Sequence, residues 1–141
     1  MNTIERYEPK AHERVWGVET FVAETEDYLG KVLYMRAGTA GGLQLHRTKD
    51  ETFHLFSGRA LVQSDDGAGD LMSTFMEAGE SYRVPPGAPH RVTALTDCVF
   101  FECSLPVHDD RVRLEETYGL PVPTGEGELK TTDGPSLGIL E

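Results

Sequence analysis

The chain lacks any hydrophobic run long enough to cross a membrane. A spanning helix needs about 20 consecutive apolar residues, and no such run occurs in the sequence. The first six residues, Met-Asn-Thr-Ile-Glu-Arg, have no apolar core of the kind that signal peptides carry. The sequence therefore predicts a soluble, cytoplasmic protein.

Basic residues are also scarce. Lys and Arg number 13 against 24 Asp and Glu, which gives a formal net charge of −11. Nucleic acids and anionic membranes are bound through clusters of cationic side chains. The acidic balance therefore argues against both as partners, and its simplest role is to keep the protein soluble.

Cysteine is nearly absent, with only Cys98 and Cys103, both in one apolar run. If that run is a strand, the two lie roughly 16 Å apart at about 3.3 Å per residue and point to opposite faces. A disulfide needs Cα atoms within about 7 Å of each other. We therefore predict two buried, reduced thiols and no disulfide between them.

Turn residues, in contrast, are abundant. The 15 glycines and 8 prolines separate short runs rich in β-branched and aromatic residues. Short strands with turn signals at this spacing predict an all-β sandwich or barrel rather than alternating strands and helices. The predicted strands cover residues 15–21, 31–35, 43–46, 52–56, 59–63, 71–77, 82–84, 90–94 and 99–104. Residues 109–118 fit a short helix or a last strand equally well.

The chain is long enough for one domain with a real core and too short for two ordinary ones. We assign residues 1–13 to an N-terminal extension, residues 14–119 to the barrel domain and residues 120–141 to a C-terminal tail. Repeated Pro and Gly deny the tail any regular element. It is expected to be loosely ordered or to wrap over a neighbour.

The segment from Leu43 to Gly58 carries the residues with the clearest chemistry. Gln44 and His46 share one face of a strand because side chains alternate. A polar turn at residues 47–50 then returns the chain and can bring Glu51 opposite His46. His90 would come from a third strand after the rigid Pro-Pro-Gly turn. Amide oxygen, imidazole and carboxylate together suit Zn²⁺, Mn²⁺, Fe²⁺, Ni²⁺ or Co²⁺ and leave coordination positions open.

The joint pattern resembles the cupin superfamily, which is defined by two short motifs. The first corresponds to Gln44-x-His46-x4-Glu51-x6-Gly58, with Gln at the first His position, and the second to Gly79-x5-Pro85-Pro86-Gly87-x2-His90. The resemblance implies a conical β-barrel, also called a double-stranded β-helix or jelly roll, with a metal between its two sheets.

Within that superfamily the chain is similar to the mannose-6-phosphate isomerases and their type II cupin relatives. The similarity includes Arg14-Val15-Trp16-Gly17 and residues 110–119 and covers residues 14–119. It implies that Gln44, His46, Glu51 and His90 bind zinc or a similar divalent ion. It further implies a sugar or sugar-phosphate isomerase of carbohydrate metabolism that uses this ion as a Lewis acid. It also implies a homodimer with exchanged N-terminal strands or with sheets packed together, in which residues 15–21 and the tail are the segments expected to cross between subunits.

If the isomerase interpretation holds, Glu102 is the candidate general base, because a carboxylate inside a barrel can have a raised pKa. The cations that flank the motifs and could meet a phosphate are Arg47, Lys49, Arg83 and Arg91. Three alternatives stay open: an iron-dependent dioxygenase, a non-catalytic small-molecule-binding module, and another metal-assisted reaction such as epimerisation or a lyase step. Gln44 counts against the dioxygenase, since cupins of that kind usually carry three His and one Glu.

Overall fold

A computed structural model describes residues 2–121, and these residues form strands, turns and irregular segments without any helix. The strands are β1 Lys10–Arg14, β2 Gly17–Glu24, β3 Leu29–Met35, β4 Gln44–His46, β5 Glu51–Ser57, β6 Arg59–Asp65, β7 Leu71–Glu77, β8 Ser81–Val84, β9 His90–Ala94, β10 Cys98–Ser104 and β11 Arg111–Arg113. The predicted all-β class is therefore confirmed. No helix in the described part of the chain is long and apolar enough to span a membrane.

The strands form two antiparallel sheets that pack face to face as a jelly roll. The first sheet has the order β1-β2-β3-β10-β5-β8 and the second the order β11-β4-β9-β6-β7. Strands that follow one another along the chain, such as β4 and β5, often belong to different sheets, and these connections between the sheets close the barrel. The alternation along each strand decides which side chains enter the space between the sheets.

The core fills one end of that space with apolar side chains from both sheets. In β5, for example, Phe53 and Leu55 are buried while Phe56 is exposed. The largest apolar cluster consists of Trp16, Leu33, Met35, Phe53, Leu55, Ala60, Val62, Met76, Val84, Val92, Ala94, Cys98 and Phe100. The other end of the space is polar and holds the candidate site.

Two features of the fold differ from the sequence predictions, strand β1 and the exposure of Cys103, and the structure decides the choice left open for residues 109–118. Strand β1 was not predicted, because residues 10–14 are polar; it forms as the edge of the first sheet by pairing with β2. Residues 109–118 contain the three-residue strand β11 and no helix. Cys98 and Cys103 are unbonded and on opposite faces as predicted, but Cys103 is exposed rather than buried.

Two motif glycines have conformational roles. Gly58 has φ +100°, and a Cβ there would lie 2.3 Å from the carbonyl oxygen of Asp97, so only glycine fits. Gly87 has φ +84° and follows Pro86, which matches the third position of a type II turn. The turn is closed by the Ala88 amide, which donates to the carbonyl of Pro85, and Gly87 donates to the carbonyl of His46. The Pro-Pro-Gly turn is thus attached to the strand that carries His46.

Candidate metal centre

The structure places the four predicted ligands on strands from both sheets. Gln44 and His46 lie on β4, Glu51 begins β5 and His90 begins β9, and all four side chains are buried. Gln44 and His90 are direct antiparallel partners, so their side chains share a face. The hairpin expected between residues 43–46 and 52–56 is wrong, because β4 and β5 belong to opposite sheets. His46 and Glu51 therefore meet across the barrel rather than along one sheet.

Three of the predicted ligands have donor atoms within coordination distance of a common point. Oε2 of Glu51 lies 3.2 Å from Nε2 of His90 and 3.8 Å from Nε2 of His46. One donor atom from each of the three residues lies within 4.8 Å of the others. Two metal–ligand bonds of about 2.0–2.1 Å at angles between 90° and tetrahedral put their donor atoms roughly 2.9–3.4 Å apart. The separation between Glu51 and His90 lies within this range, and the 3.8 Å between Glu51 and His46 is longer than it.

The hydrogen bonds of both imidazoles leave the inward nitrogen free to bind a metal. Nδ1 of His90 lies 3.0 Å from the carbonyl oxygen of Ala88, which can only accept, so Nδ1 carries the proton. Nδ1 of His46 lies 3.0 Å from Oδ1 of Asp110 and donates to that carboxylate. In each neutral ring Nε2 then carries a lone pair aimed at Glu51. Lone pairs and a carboxylate this close repel one another unless a cation lies between them.

The orphaned polar atoms of the site support a bound ion. Among the described residues, no hydrogen-bond partner reaches Nε2 of His46, Nε2 of His90, Oε1 of Glu51 or either amide atom of Gln44. Buried polar atoms without partners are rare because desolvation costs them about 1–3 kcal/mol each. Gln44 is fully buried, and its amide oxygen is the fourth donor that a divalent ion would take. The residues present therefore fit the group that the sequence predicted.

The charges of the site are consistent with ligands in their metal-binding forms. Burial is the largest influence on His46 and lowers the pKa of its imidazole, which favours the neutral ring. Burial by itself would raise the pKa of Glu51, but the contact with His90 and the nearby charges of His46 and Lys49 outweigh it and lower that pKa. Two neutral imidazoles and one carboxylate are the states a divalent ion requires.

Further buried charges lie on the same sheet as Glu51, on strands β1, β2, β3 and β10. Glu19 accepts from the guanidinium of Arg14 at 2.7 Å and from Nζ of Lys31 at 2.7 Å, and all three side chains are fully buried. Lys31 is directly opposite Glu102 on β10, so both point into the barrel. Burial alone would lower the pKa of Lys31, but the charges of Glu19 and Glu102 outweigh it and raise that pKa.

Glu102 lies inside the barrel with one carboxylate oxygen unused. It is 1% exposed, and its Oε2 has no hydrogen-bond partner among residues 2–121. Burial, followed by the negative charge of Glu51, raises its pKa well above the ordinary value near 4.5. The inward, desolvated environment expected for this residue is therefore present.

Lys49 is one of the four cations predicted near the site, but its position in the sequence does not suggest that it is buried. It lies in the turn between β4 and β5, where a lysine normally projects into solvent, yet it is 1% exposed. Burial is the main cause that lowers its pKa to about 8, followed by the positive charge of Lys31. A charged residue in a polar turn belongs to no periodic pattern, so no sequence signal predicts that it is buried.

Asp110 holds the turn and the imidazole together from outside the metal sphere. Its Oδ2 accepts from the amides of Thr48, at 2.8 Å, and Lys49, at 2.7 Å, while Oδ1 faces His46. Burial would raise its pKa, but the two amides and His46 outweigh it and lower the pKa to about 2. The charged carboxylate therefore stabilises the folded state at neutral pH, and this contribution is lost as the pH falls from about 4 toward about 2.

The C-terminal segment that carries Asp110 also positions β4. Strand β11 pairs with β4 along its whole length, from Arg111 opposite His46 to Arg113 opposite Gln44. Oε2 of Glu115 accepts from the amide of Leu43 at 2.8 Å. Because β4 makes a single backbone pair with β9, residues 110–115 fix one edge of the site.

A pocket of about 150 Å³ lies beside the site. It reaches His90, and its walls include Phe53 and Tyr82, whose rings stack with centroids 6.1 Å apart. The remaining lining residues are Val62, Ser64, Thr74, Arg83, Val84, Ala88 and Pro89. A mixed aromatic and hydroxyl lining next to buried polar groups is typical of small-molecule sites.

Two of the other flanking cations, Arg83 and Arg91, have side-chain partners within the chain. The guanidinium of Arg83 pairs with Asp50 at 2.7 Å, and that of Arg91 donates to Gln63 at 2.9 Å. Arg47 is exposed, and its amide donates to the carbonyl of Asp110. Of the four cations that the sequence suggested for a phosphate, only Lys49 is buried next to the metal ligands.

Replacement of Asp110 by Asn is expected to weaken metal binding by roughly 10–100-fold, the usual effect of losing an outer-shell partner. The neutral amide is a poorer acceptor for His46, so the ring is held less firmly. The measurement is the metal dissociation constant by competition with a chromophoric chelator. Asp109→Asn, at the exposed neighbouring position, is the control and should match the wild type. Equal metal affinities for the wild type and both variants would show that Asp110 does not support the metal site.

Comparison with known proteins agrees with the fold. A family model described as "Cupin domain" matches residues 31–103, which is more than half of the chain. The protein therefore belongs to the cupin family. A search of curated protein sequences found no match.

Solved structures with the same fold are distant in sequence. The capsular polysaccharide assembling protein CapF from Staphylococcus aureus superposes with a TM-score of 0.68 at 20% identity over 77% of this chain and 32% of its own. An RmlC-like cupin from Shewanella frigidimarina gives 0.61 at 18% identity over 72% and 87%. Oxalate decarboxylase from Bacillus subtilis, with Mn(II) centres, gives 0.61 at 20% identity over 75% and 31%. The chain spans about a third of CapF and of the decarboxylase.

Proposed function

We propose that this cupin binds one divalent transition metal through Gln44, His46, Glu51 and His90. The observation that carries the proposal is the convergence of buried donor atoms that lack partners, with two imidazoles fixed so that Nε2 faces inward. Nitrogen and oxygen donors suit zinc, manganese, iron, nickel and cobalt. Zinc is favoured among them because the resemblance to the mannose-6-phosphate isomerases implies it. The Mn(II) centres of the structurally similar oxalate decarboxylase are compatible with a divalent ion in a protein of this fold.

We propose further that the site catalyses isomerisation of a small sugar or sugar phosphate. A divalent ion bound here would supply Lewis-acid polarisation of a carbonyl and its neighbouring hydroxyl. The protein supplies the proton transfer, which moves a hydrogen between adjacent carbons of the substrate. Glu102 is suited to this role because its buried Oε2 is unpartnered and its pKa is raised. A general base with a pKa nearer neutrality both accepts and returns a proton efficiently.

The pocket beside His90 fits this use. Phe53 and Tyr82 provide the flat walls against which the carbon face of a sugar packs, while Ser64 and Thr74 provide hydroxyl groups. The polar groups of the substrate would then face the metal ligands and Glu102. The small volume of about 150 Å³ favours a compact substrate over a polymer.

The test is an isomerase assay on protein loaded with each candidate metal. Exchange of deuterium from solvent into mannose 6-phosphate, fructose 6-phosphate and their unphosphorylated sugars is followed by NMR. Glu102→Gln should lower turnover by roughly 10²–10⁴-fold, the usual contribution of a general base, while the metal content stays equal to that of the wild type. Exchange at the wild-type rate in Glu102→Gln would exclude Glu102 as the base.

An oxygen-uptake measurement separates this proposal from the dioxygenase alternative. Protein loaded anaerobically with Fe²⁺ should consume no oxygen with any of these sugars. Stoichiometric uptake would contradict the isomerase proposal and favour the oxygenase.

We also propose a homodimer, formed through the outer face of the first sheet. The outward residues of its four middle strands carry no formal charge, although the chain has a net charge of −11. They are Val18, Thr20, Val22, Gly30, Val32, Tyr34, Thr52, His54, Phe56, Val99, Phe101 and Cys103. Strand β2 pairs with β1 and β3 in one chain, so residues 17–21 offer no free edge for exchange. A mass of 15.6 kDa by light scattering would contradict the dimer.

A further inference from the structure

Lys49 is a buried cation that no carboxylate of the described chain pairs with. Its side chain is 1% exposed, and none of the ion pairs formed within residues 2–121 includes it. The other buried lysine, Lys31, donates to Glu19 at 2.7 Å. The negative charges of Glu102, Glu51 and Asp110 act on the Lys49 ammonium, but none of these carboxylates forms an ion pair with it. Buried charges are normally paired, because an unpaired ammonium is expensive to remove from water. The missing partner of Lys49 points to an anion that comes from outside the chain.

The surroundings of Lys49 show where that anion would lie. Its backbone amide is bound to Asp110, which also orients His46, so the residue is fixed relative to the metal ligands. The hydroxyl of Ser104 and Oε2 of Glu102 are buried without partners on the inner face of β10. Ser104 is directly opposite Glu51 in the pairing of β10 with β5. The charge of Glu102 acts on Lys49, so Lys49 lies on the same side of the barrel as these polar atoms, which have no partner in the described chain.

The charge balance of the interior favours the same conclusion. Among the described residues, the buried cations Arg14, Lys31 and Lys49 equal in number the carboxylates Glu19, Glu51 and Glu102, and the fourth buried carboxylate, Glu115, pairs with Arg113. A divalent ion on the proposed ligands would leave this interior with an excess of positive charge. A ligand that carries its own negative charge restores the balance at the place where a cation lacks a partner.

We propose that Lys49 binds an anionic oxygen group of the ligand, and that the site takes a polyhydroxy compound bearing a carboxylate or a phosphate. The inference rests on the proposed metal site and specifies its substrate class. The ammonium would contact the anionic oxygens, and the hydroxyl groups would reach Glu102, Ser104 and the metal ligands. Neutral sugars and polyols would bind the same place without this contact.

The test is calorimetry of the full-length protein as purified, with the metal content measured in each sample. The probes are D-gluconate, D-glucitol 6-phosphate and the neutral D-glucitol. In the wild type at least one anionic probe should bind about tenfold or more tightly than D-glucitol, as expected for a hydrogen bond to a charged group. Equal affinity for all three probes in the wild type would overturn the proposal without any variant.

Two variants locate the effect. Lys49→Met keeps the length of the side chain and removes its charge, and it should abolish the preference for the anionic probe while the affinity for D-glucitol stays the same. Arg47→Met removes an exposed cation two residues away and should leave the preference unchanged. An unchanged preference in a folded Lys49→Met protein, or its loss in Arg47→Met, would overturn the assignment to Lys49.

The outcome is distinguishable from failure of the proposed function. If the protein prefers the anionic probe through Lys49 but exchanges no deuterium with any sugar, the anion subsite is supported and the isomerase proposal is contradicted. If the protein turns over a sugar but its preference for the anionic probe does not depend on Lys49, the isomerase proposal is supported and the anion subsite is contradicted. A wild type without bound metal removes the metal proposal, and the comparison of probes still decides the role of Lys49.

Discussion

Replacement of Glu51 by Gln is expected to reduce bound metal from near one ion per chain to near none. Glu51 supplies the only anionic donor of the four, and its Oε2 lies 3.2 Å from His90 and 3.8 Å from His46. Without that charge a divalent ion would enter a desolvated site that already contains the ammonium of Lys49. We expect affinity to fall by more than about 100-fold, the upper end of what losing an outer-shell partner costs.

The measurement is elemental analysis after dialysis, together with thermal unfolding before and after chelation. A ligand that binds only the folded state at 100 times its dissociation constant stabilises the protein by about 2.7 kcal/mol. Chelation should therefore lower the melting temperature of the wild type and leave that of Glu51→Gln unchanged. His54→Gln, on the outward face of the same strand, should behave as the wild type. Full metal occupancy in Glu51→Gln would show that the cluster is not the binding site.

Replacement of Glu19 by Gln is expected to lower the free energy of unfolding by about 3–5 kcal/mol, the usual cost of removing one partner of a buried ion pair. Glu19 accepts from both Arg14 and Lys31, and all three side chains have zero exposure. The amide cannot balance two cations, and Lys31 would lose its 2.7 Å acceptor. The measurement is chemical unfolding by urea at neutral pH.

The second sheet provides a matched control for this prediction. Arg59 and Glu77 form a pair with a comparable separation of 2.8 Å, but their side chains are 48% and 53% exposed. Exposed pairs contribute about 0–1 kcal/mol because water screens them. Glu77→Gln should therefore change the free energy of unfolding by less than about 1 kcal/mol. Similar losses in both variants would mean that burial does not decide the worth of the Glu19 pairs.

The predicted ligands could be read from the sequence because the information that marks them is local. Alternation in a strand puts Gln44 and His46 on one face, and a type II turn with Pro86 and Gly87 fixes the entry to His90. The structure brings His46, Glu51 and His90 together. That these residues bind a metal stays a prediction.

The sequence predicts only part of the environment of Glu102, namely which face of its strand it occupies. Alternation puts Glu102 on the side of β10 opposite to the exposed Cys103. Whether that side faces solvent or the barrel depends on the strands that pack over it. Burial and the nearby Glu51 then determine that its pKa is raised rather than lowered.

By itself the sequence determined the all-β class, the short strands, the cupin motifs and the four candidate ligands, because alternation, turn chemistry and residue spacing are properties of neighbouring residues. Only the tertiary structure decided that β4 and β5 lie in opposite sheets, that Asp110 orients His46 from 64 residues away, and that Lys49 is buried without a carboxylate partner in the described chain. These depend on which distant strands meet, and a linear pattern contains no record of that pairing. The physical reason is that burial and charge pairing arise between segments remote in sequence, where hydrophobic packing and strand pairing of the whole barrel set the register.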